Sequence, residues 1–312
     1  MDRRSFVTTG LAAGAAAATG AASLNSAAAA DAANPPKGGQ FKLKYAPHLG
    51  AFGKHVGGDP IENIKFAADQ GFRALFDNGL PGRPNEQLDA IAKEMERHGM
   101  TMGPFVAYAD FGKETFIKRD LGQEDRDMLT GRIQRAIEVS KRANVKWALV
   151  VPGRYSDRME WAYQTANVVE NLKYFAEMCE PAGVVMVIEP LNALANHPGL
   201  FLTKIAQAYQ ICRAVNSPSC KIVNDIYHQQ ITEGNLIPNI DLAWSEIAAF
   251  HLGDTPGRNE PGTGEINYKN IFKRLANKGY DGVLCMEHSK SKGETKEGEE
   301  AVIAAYRECD GF

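Results

Sequence analysis

Cysteine is scarce in this chain of 312 residues, with five in all and no Cys-x-x-Cys pair. An odd, widely spaced set argues against a disulfide framework and against a structural zinc site. No cysteine precedes Cys179, which argues against a lipid-anchored N-terminus. Strong charge of either sign is also lacking, since the formal net charge is −3. We therefore do not expect a nucleic acid backbone to be the main ligand.

Long apolar runs are lacking too, and the first residues look like a targeting segment. Arg3-Arg4 is followed by a weakly apolar run rich in Ala and Gly over residues 11–24. This order predicts a signal peptide rather than a membrane span, and the adjacent arginines favour the twin-arginine route. We expect residues 1–33 to be the signal peptide, 34–40 a linker and 41–312 the folded domain. The sequence thus predicts an exported, periplasmic protein without a membrane anchor after cleavage.

Apolar runs typical of strands alternate with amphipathic runs typical of helices over the rest of the chain. The eight predicted strands are Phe41–Ala46, Phe72–Asp77, Met100–Ala107, Lys146–Val151, Val184–Glu189, Lys221–Asp225, Ala248–Leu252 and Gly282–Glu287. Several are almost continuous in Val, Ile, Leu and Met, as in parallel strands covered on both faces. Eight such units favour an α/β fold of a single domain, the (β/α)8 TIM barrel. A doubly wound sheet is the alternative, but the first strand lacks a Gly-x-Gly-x-x-Gly turn.

Four residues with metal-ligand chemistry lie at the ends of four successive predicted strands: Glu189, Asp225, His251 and Glu287. Catalytic residues of (β/α)8 barrels lie at these C-terminal ends. Three carboxylates and an imidazole cannot share one mouth without a cation, because like charges push the acids toward neutrality. The mixed oxygen and nitrogen donors suit Mn²⁺, Mg²⁺, Co²⁺ or Zn²⁺. For either glutamate alone, a salt bridge across the mouth is the alternative.

Two further residues are candidates for substrate contact. His228 lies three residues after Asp225, where the predicted strand runs out into its loop, and either reaches the substrate or bonds to the backbone as a loop histidine. Arg258 lies in a loop rich in Gly and Pro and would offer a planar donor fork to a substrate oxygen. Its alternative is a surface salt bridge with Glu260. His197, in another loop, is expected at the surface.

Several motifs resemble one known family. Ile188-Glu189-Pro190-Leu191-Asn192, the segment from Asp225 to His228, and the loop over residues 256–268 are similar to the hydroxypyruvate isomerase family. This family lies within the xylose-isomerase-like superfamily of sugar isomerases and epimerases. The similarity runs over essentially the whole chain after the signal peptide, and the loop is its most specific part.

The resemblance implies a (β/α)8 barrel with one divalent metal, Mn²⁺ or Mg²⁺, and a small-molecule substrate. The implied roles are metal binding by Glu189, Asp225, His251 and Glu287, acid/base catalysis by Glu189 and Glu287, and substrate binding by His228 and Arg258. The implied reaction converts hydroxypyruvate to tartronate semialdehyde through an enediolate. A homo-oligomer is common among such proteins.

Some positions depart from the family pattern and leave other functions open. Position 251 is Gln in hydroxypyruvate isomerases, whereas His is found there in ketose 3-epimerases. Glu287 is followed by His288, where the family commonly continues with Tyr-Lys-Pro. A ketose 3-epimerase or other sugar isomerase is therefore the main alternative. An abasic-site endonuclease-like hydrolase and a non-catalytic sugar-binding protein rank below it.

Overall fold

The computed structural model describes residues 38–312. The predicted signal peptide, residues 1–33, and the first four residues of the predicted linker, 34–37, lie outside the described residues. The described part forms a barrel of parallel strands surrounded by helices, which confirms the predicted (β/α)8 fold. None of its helices is long and apolar enough to cross a membrane.

Residues 38–312 contain nine short strands. They are β1 (Lys44–Ala46), β2 (Ala74–Leu75), β3 (Thr101–Met102), β4 (Phe105–Tyr108), β5 (Trp147–Val150), β6 (Val185–Ile188), β7 (Cys220–Asp225), β8 (Ile247–Leu252) and β9 (Val283–Met286). One parallel sheet has the order β1-β9-β8-β7-β6-β5-β4, and β2 pairs with β3 in a second. The bridges His48–Phe76 and Met102–Val145 connect the two sheets. The strands therefore close into a barrel rather than an open doubly wound sheet.

The third predicted strand, Met100–Ala107, is divided into β3 and β4. Gly103 and Pro104 separate them, and Pro104 has no N–H to donate to a neighbouring strand. A Cβ on Gly103 would lie 3.0 Å from Cβ of Phe76 and 3.1 Å from Sγ of Cys285, so a larger residue there would press on both side chains. The division lets β3 pair with β2 and β4 with β5. The two short strands together occupy one strand position, and the predicted count of eight positions holds.

Ten α-helices lie in the described residues, and the longer ones cover the outside of the barrel. They are α1 (Gly53–Val56), α2 (Pro60–Asp69), α3 (Asn85–Arg97), α4 (Gly122–Ala143), α5 (Trp161–Cys179), α6 (Ile205–Val215), α7 (Ile226–Thr232), α8 (Leu236–Ala243), α9 (Tyr268–Asn277) and α10 (Lys296–Cys309). Asn144 and Asn216 end α4 and α6 in the left-handed conformation, which asparagine tolerates better than most residues.

The hydrophobic core has two layers. The inner layer fills the barrel with mostly small and branched side chains, including Ala46, Val187, Val223, Ala249 and Val283. The outer layer lies between strands and helices and contains most of the large aromatic and aliphatic residues. Each large apolar side chain buried in this way contributes about 1.5–3 kcal/mol. The inner layer closes the barrel, so polar side chains at the strand ends face the mouth above it.

Candidate active site

Four strands bring the predicted ligands together at one end of the barrel. Glu189 directly follows β6, Asp225 ends β7, His251 lies in β8 and Glu287 directly follows β9. These strands are consecutive and parallel, so their C-terminal ends meet at the same edge. One ligand atom from each residue lies within 4.8 Å of every other. Asp225 and His251 are fully buried, and Glu189 is nearly so.

The contacts within the cluster alternate between negative and positive groups. Nδ1 of His251 lies 3.0 Å from Oε1 of Glu189 and 3.1 Å from Oε2 of Glu287. Nη2 of Arg258 lies 3.0 Å from Oδ2 of Asp225 and 2.8 Å from Oε2 of Glu287. Each carboxylate therefore lies beside at least one cationic or protonatable nitrogen.

Burial and mutual repulsion shape the charges in this cluster. Burial, followed by the repulsion of Glu287 and Asp225, raises the pKa of Glu189 to about 7 despite the nearby His251. Burial also opposes charge on Glu287, but the attraction of His251 and Arg258 outweighs it and lowers the pKa of that carboxyl. Burial alone would lower the pKa of His251. The negative charges of Glu287 and Glu189 outweigh burial and raise this pKa well above its usual value. The cluster thus favours extra positive charge at its centre.

The donor set fits a divalent cation. Three carboxylates and one imidazole offer oxygen and nitrogen ligands without a thiolate, the combination that Mn²⁺, Mg²⁺, Co²⁺ and Zn²⁺ accept. A cation there would supply the positive charge that otherwise forces protons onto Glu189 and His251. The described residues therefore include a group that could hold a metal ion.

Arg258 faces the cluster rather than the solvent. The alternative of a surface salt bridge with Glu260 does not hold, because the carboxylate of Glu260 accepts hydrogen bonds from Ser291 instead. Arg258 has a φ of 49°, a value that is uncommon for a residue other than glycine. Its Nε donates to the carbonyl of Glu287 at 3.1 Å. The guanidinium also lies over the ring of Tyr227, 4.7 Å from the ring centre.

His228 lies in the first turn of α7 and is buried beside the cluster. Its Nε2 lies 3.3 Å from Nη1 of Arg258 and 3.6 Å from Oδ2 of Asp225. Burial lowers the pKa of His228 to about 4, so the ring is neutral near pH 7. The structure thus places both predicted substrate-binding residues, His228 and Arg258, beside the four candidate ligands.

Two residues of the site were missed by the sequence prediction. Asn78, three residues after β2, donates from Nδ2 to Oε1 of Glu287 at 2.8 Å. Its position just beyond a strand end was a usable signal. His197, expected at the surface, is half-buried, lines the cavity and stacks on Phe111 at 4.9 Å between ring centres. No pattern in its loop indicated this, because the contact depends on how two separate loops meet.

The cluster opens into a cavity of about 620 Å³. Its polar lining residues include Asn78, Glu189, His228, Arg258 and Glu287. Its apolar lining residues are Val106, Ala109, Phe111, Leu149, Val151 and Leu191. An apolar cavity with a few convergent polar groups is typical of a small-molecule site.

The chain that forms this barrel and this cluster matches the model of one protein family over most of its length. The family described as xylose isomerase-like TIM barrel matches residues 64–309. The chain belongs to this family, which confirms the predicted superfamily.

Two curated relatives are isomerases by name. Hydroxypyruvate isomerase of Escherichia coli (strain K12) is 39% identical over 123 residues, which cover 39% of this chain and 47% of that protein. That alignment thus spans about half of the relative's length. The 2-oxo-tetronate isomerase of Cupriavidus necator is 31% identical over 238 residues, which cover 75% of this chain and 88% of that protein. These names agree with the predicted hydroxypyruvate isomerase family and with an isomerase.

Among solved structures, AP endonuclease family 2 from Brucella melitensis is similar in fold. It aligns with a TM-score of 0.69 and 25% identity, and the alignment covers 85% of this chain and 99% of that chain. This likeness agrees with the barrel architecture.

Proposed function

We propose that this protein is a metal-dependent isomerase of a small hydroxy-carbonyl compound, with hydroxypyruvate as the first candidate. The main support is that two carboxylates converge, since Glu189 and Glu287 approach the same nitrogen of His251 at 3.0 and 3.1 Å. Isomerisation beside a carbonyl needs one group to remove a proton from carbon and another to return one. The names of the two curated isomerases point to the same reaction class.

Glu189, Asp225, His251 and Glu287 would hold the cation, with Mn²⁺ or Mg²⁺ as the first candidates and Co²⁺ or Zn²⁺ as alternatives. When bound, such a cation polarises a carbonyl oxygen and favours charge on it. The ligands come from four different strands, so the barrel itself fixes their relative positions. His251 must be neutral to act as a ligand.

The two glutamates would carry the proton transfers. One removes a proton from the hydroxyl-bearing carbon of hydroxypyruvate, which leaves a planar enediolate. The other returns a proton to the former carbonyl carbon, while the hydroxyl proton passes to the former carbonyl oxygen, which gives tartronate semialdehyde. Asn78 restricts the rotation of Glu287 through its hydrogen bond to Oε1. His228 and Arg258, which lie side by side next to the cluster, would hold substrate oxygens.

The size of the cavity supports a second candidate, a ketose 3-epimerase or another sugar isomerase. A volume of about 620 Å³ is roughly that of 20 water molecules at about 30 Å³ each. A three-carbon acid fills only part of this space, whereas a ketose could also cover the apolar wall around Phe111. Residue 251 is histidine, as in ketose 3-epimerases.

The hydrolase alternative has less support. Abasic-site endonucleases of this superfamily use several zinc ions and many histidines. Within residues 38–312, the candidate metal group contains one histidine and three carboxylates. We therefore rank nuclease activity below isomerisation, and ligand binding without turnover below both.

The proposal is tested by product identification. The purified protein with Mg²⁺ is incubated with hydroxypyruvate, 2-oxo-tetronate or a panel of ketoses, and products are identified by proton NMR. We expect turnover of at least one compound. Glu287→Gln should lower kcat about 100-fold or more because it removes an acid/base group. Glu265→Gln, at an exposed position, is the control and should keep the wild-type rate.

Failure of every compound in folded, metal-loaded protein would contradict the isomerase proposal and favour binding without turnover. A wild-type rate in Glu287→Gln would contradict only the role of Glu287.

We also propose that the mature protein is periplasmic. The support is the Arg3-Arg4 pair ahead of a small-residue apolar run. Cell fractionation with N-terminal sequencing should find a mature start near residues 29–34. Replacing both arginines by lysine should leave the precursor in the cytoplasm, and export of this variant at the normal level would contradict the twin-arginine route.

A further inference from the structure

Asn192, which the proposed function does not use, has a side-chain orientation that can be assigned from its contacts. Its Oδ1 lies 2.9 Å from the backbone N of Ala195 and 3.1 Å from the backbone N of Asn196. Backbone N–H groups can only donate, so the atom facing them must be the amide oxygen. The amide nitrogen of Asn192 therefore points the other way.

That nitrogen determines which nitrogen of His228 carries the proton. Nδ2 of Asn192 lies 2.8 Å from Oδ1 of Asn196 and 2.6 Å from Nδ1 of His228. The backbone N–H of Asn192 also points at Nδ1 of His228, at 3.4 Å. An amide nitrogen only donates, so Nδ1 of His228 must accept, and a neutral ring then carries its proton on Nε2. A doubly protonated ring would place two donors against each other at 2.6 Å.

The other ring nitrogen of His228, Nε2, also lies beside a hydrogen-bond donor. Nε2 lies 3.3 Å from Nη1 of Arg258, and guanidinium nitrogens never accept. Nε2 also lies 3.6 Å from Oδ2 of Asp225, which accepts from Nη2 of Arg258 at 3.0 Å. A proton on Nε2 therefore has an acceptor at hand, and the N–H groups of both side chains lie beside the same oxygen. Both groups line the cavity beside the candidate ligands.

We propose that Asn192 is a positioning residue that holds His228 in the Nε2-protonated form, so that His228 and Arg258 donate together to one substrate oxygen. The claim that the acceptor is a substrate oxygen rests on the proposed function. The protonation of the His228 ring does not. His228 in this form cannot take a proton from the substrate through Nε2. Proton removal is thereby left to the Glu189–Glu287 pair.

The test reads the protonation of His228 directly. Full-length protein with ¹⁵N-labelled histidine and Mg²⁺ is examined by long-range proton–nitrogen NMR, and the His228 signals are assigned by their loss in His228→Gln. The wild type should show a protonated Nε2 and an unprotonated Nδ1. Asn192→Asp keeps the oxygen that faces Ala195 but presents a second acceptor to Nδ1. It should therefore protonate Nδ1 and lower kcat/KM about 10- to 100-fold.

Asn196→Asp is the matched control, because it makes the same chemical change four residues away and keeps an acceptor for Nδ2 of Asn192. It should leave the protonation of His228 unchanged, whereas a merely structural role of this loop would make the two variants alike. A protonated Nδ1 in the wild type, or an unchanged ring in Asn192→Asp, would overturn the proposal. The NMR result is obtained without substrate, so it is distinguishable from a failure of the isomerase proposal.

Discussion

At the scale of single residues, Asp77 shows how a buried carboxylate near the mouth is kept charged. Its Oδ2 accepts from Nε of Arg83 at 2.6 Å, and its Oδ1 accepts from the backbone N–H of Gly79 at 2.8 Å. Oδ1 also lies 3.4 Å from Nε2 of His48. Burial raises the pKa of Asp77, but these partners outweigh burial and lower it from 3.8 to about 2.

Asp77 should therefore make the protein acid-sensitive. A lowered pKa in the folded state contributes stability above pH 4 that is lost as the pH falls toward 2. At about 1.4 kcal/mol per pKa unit, the contribution is roughly 2 kcal/mol. Asp77→Asn should lose about this much free energy of unfolding at pH 7, measured by urea denaturation. The difference from wild type should shrink at pH 3, and an equal difference at both pH values would contradict the assignment.

Single residues also show the limits of sequence prediction. The four candidate ligands could be predicted, because each ends an apolar run and parallel strands bring such ends together. That the Arg258 side chain points into the cluster could not be predicted. Its orientation depends on a positive φ and on contacts with Asp225 and Glu287 at the ends of other strands. His197 was missed for a similar reason, because its partner Phe111 comes from a different loop.

At the scale of elements, the loop between β8 and α9, residues 253–267, is organised by one side chain. Asp254 is fully buried. Its Oδ1 accepts from the backbone N–H groups of Thr255 and Ile266, and its Oδ2 from those of Gly262 and Gly264, at 2.9–3.0 Å. The sequence showed that this loop is rich in Gly and Pro, but not that one carboxylate would accept from four N–H groups.

Asp254→Asn should destabilise the protein and its active site together. One oxygen becomes an NH₂ group that faces two backbone N–H donors, so two hydrogen bonds to a charged acceptor are lost. The expected cost is about 2–4 kcal/mol, measured by chemical denaturation. Activity should fall as well, because Arg258 lies in this loop.

Asp281→Asn is the control for the loss of a carboxylate. Asp281 is 85% exposed and pairs with Lys44, and exposed pairs contribute about 0–1 kcal/mol. Equal losses of stability in Asp254→Asn and Asp281→Asn would contradict the role assigned to Asp254.

At the scale of the whole molecule, the barrel was predictable and its details were less so. The alternation of apolar and amphipathic runs predicted eight strand positions, because each strand of a parallel barrel is covered on both faces. The division of the third strand at Gly103 and Pro104 was not predicted, since it depends on β3 pairing with β2 and β4 pairing with β5. One partner in each of the bridges that close the barrel, His48 or Val145, lies just outside the predicted strands.

The whole fold gathers four side chains from four strands into one candidate metal site, and a metal titration tests this most directly. Chelator-treated full-length protein receives increasing Mn²⁺ at a protein concentration above the dissociation constant. Deuterium uptake beside the carbonyl of a converted substrate is then measured by proton NMR in D₂O, after quenching with EDTA. The rate should rise with added Mn²⁺ and level off at about one equivalent per chain. Asp225→Asn should require a large excess, and an undiminished rate in folded, metal-free protein would contradict the account.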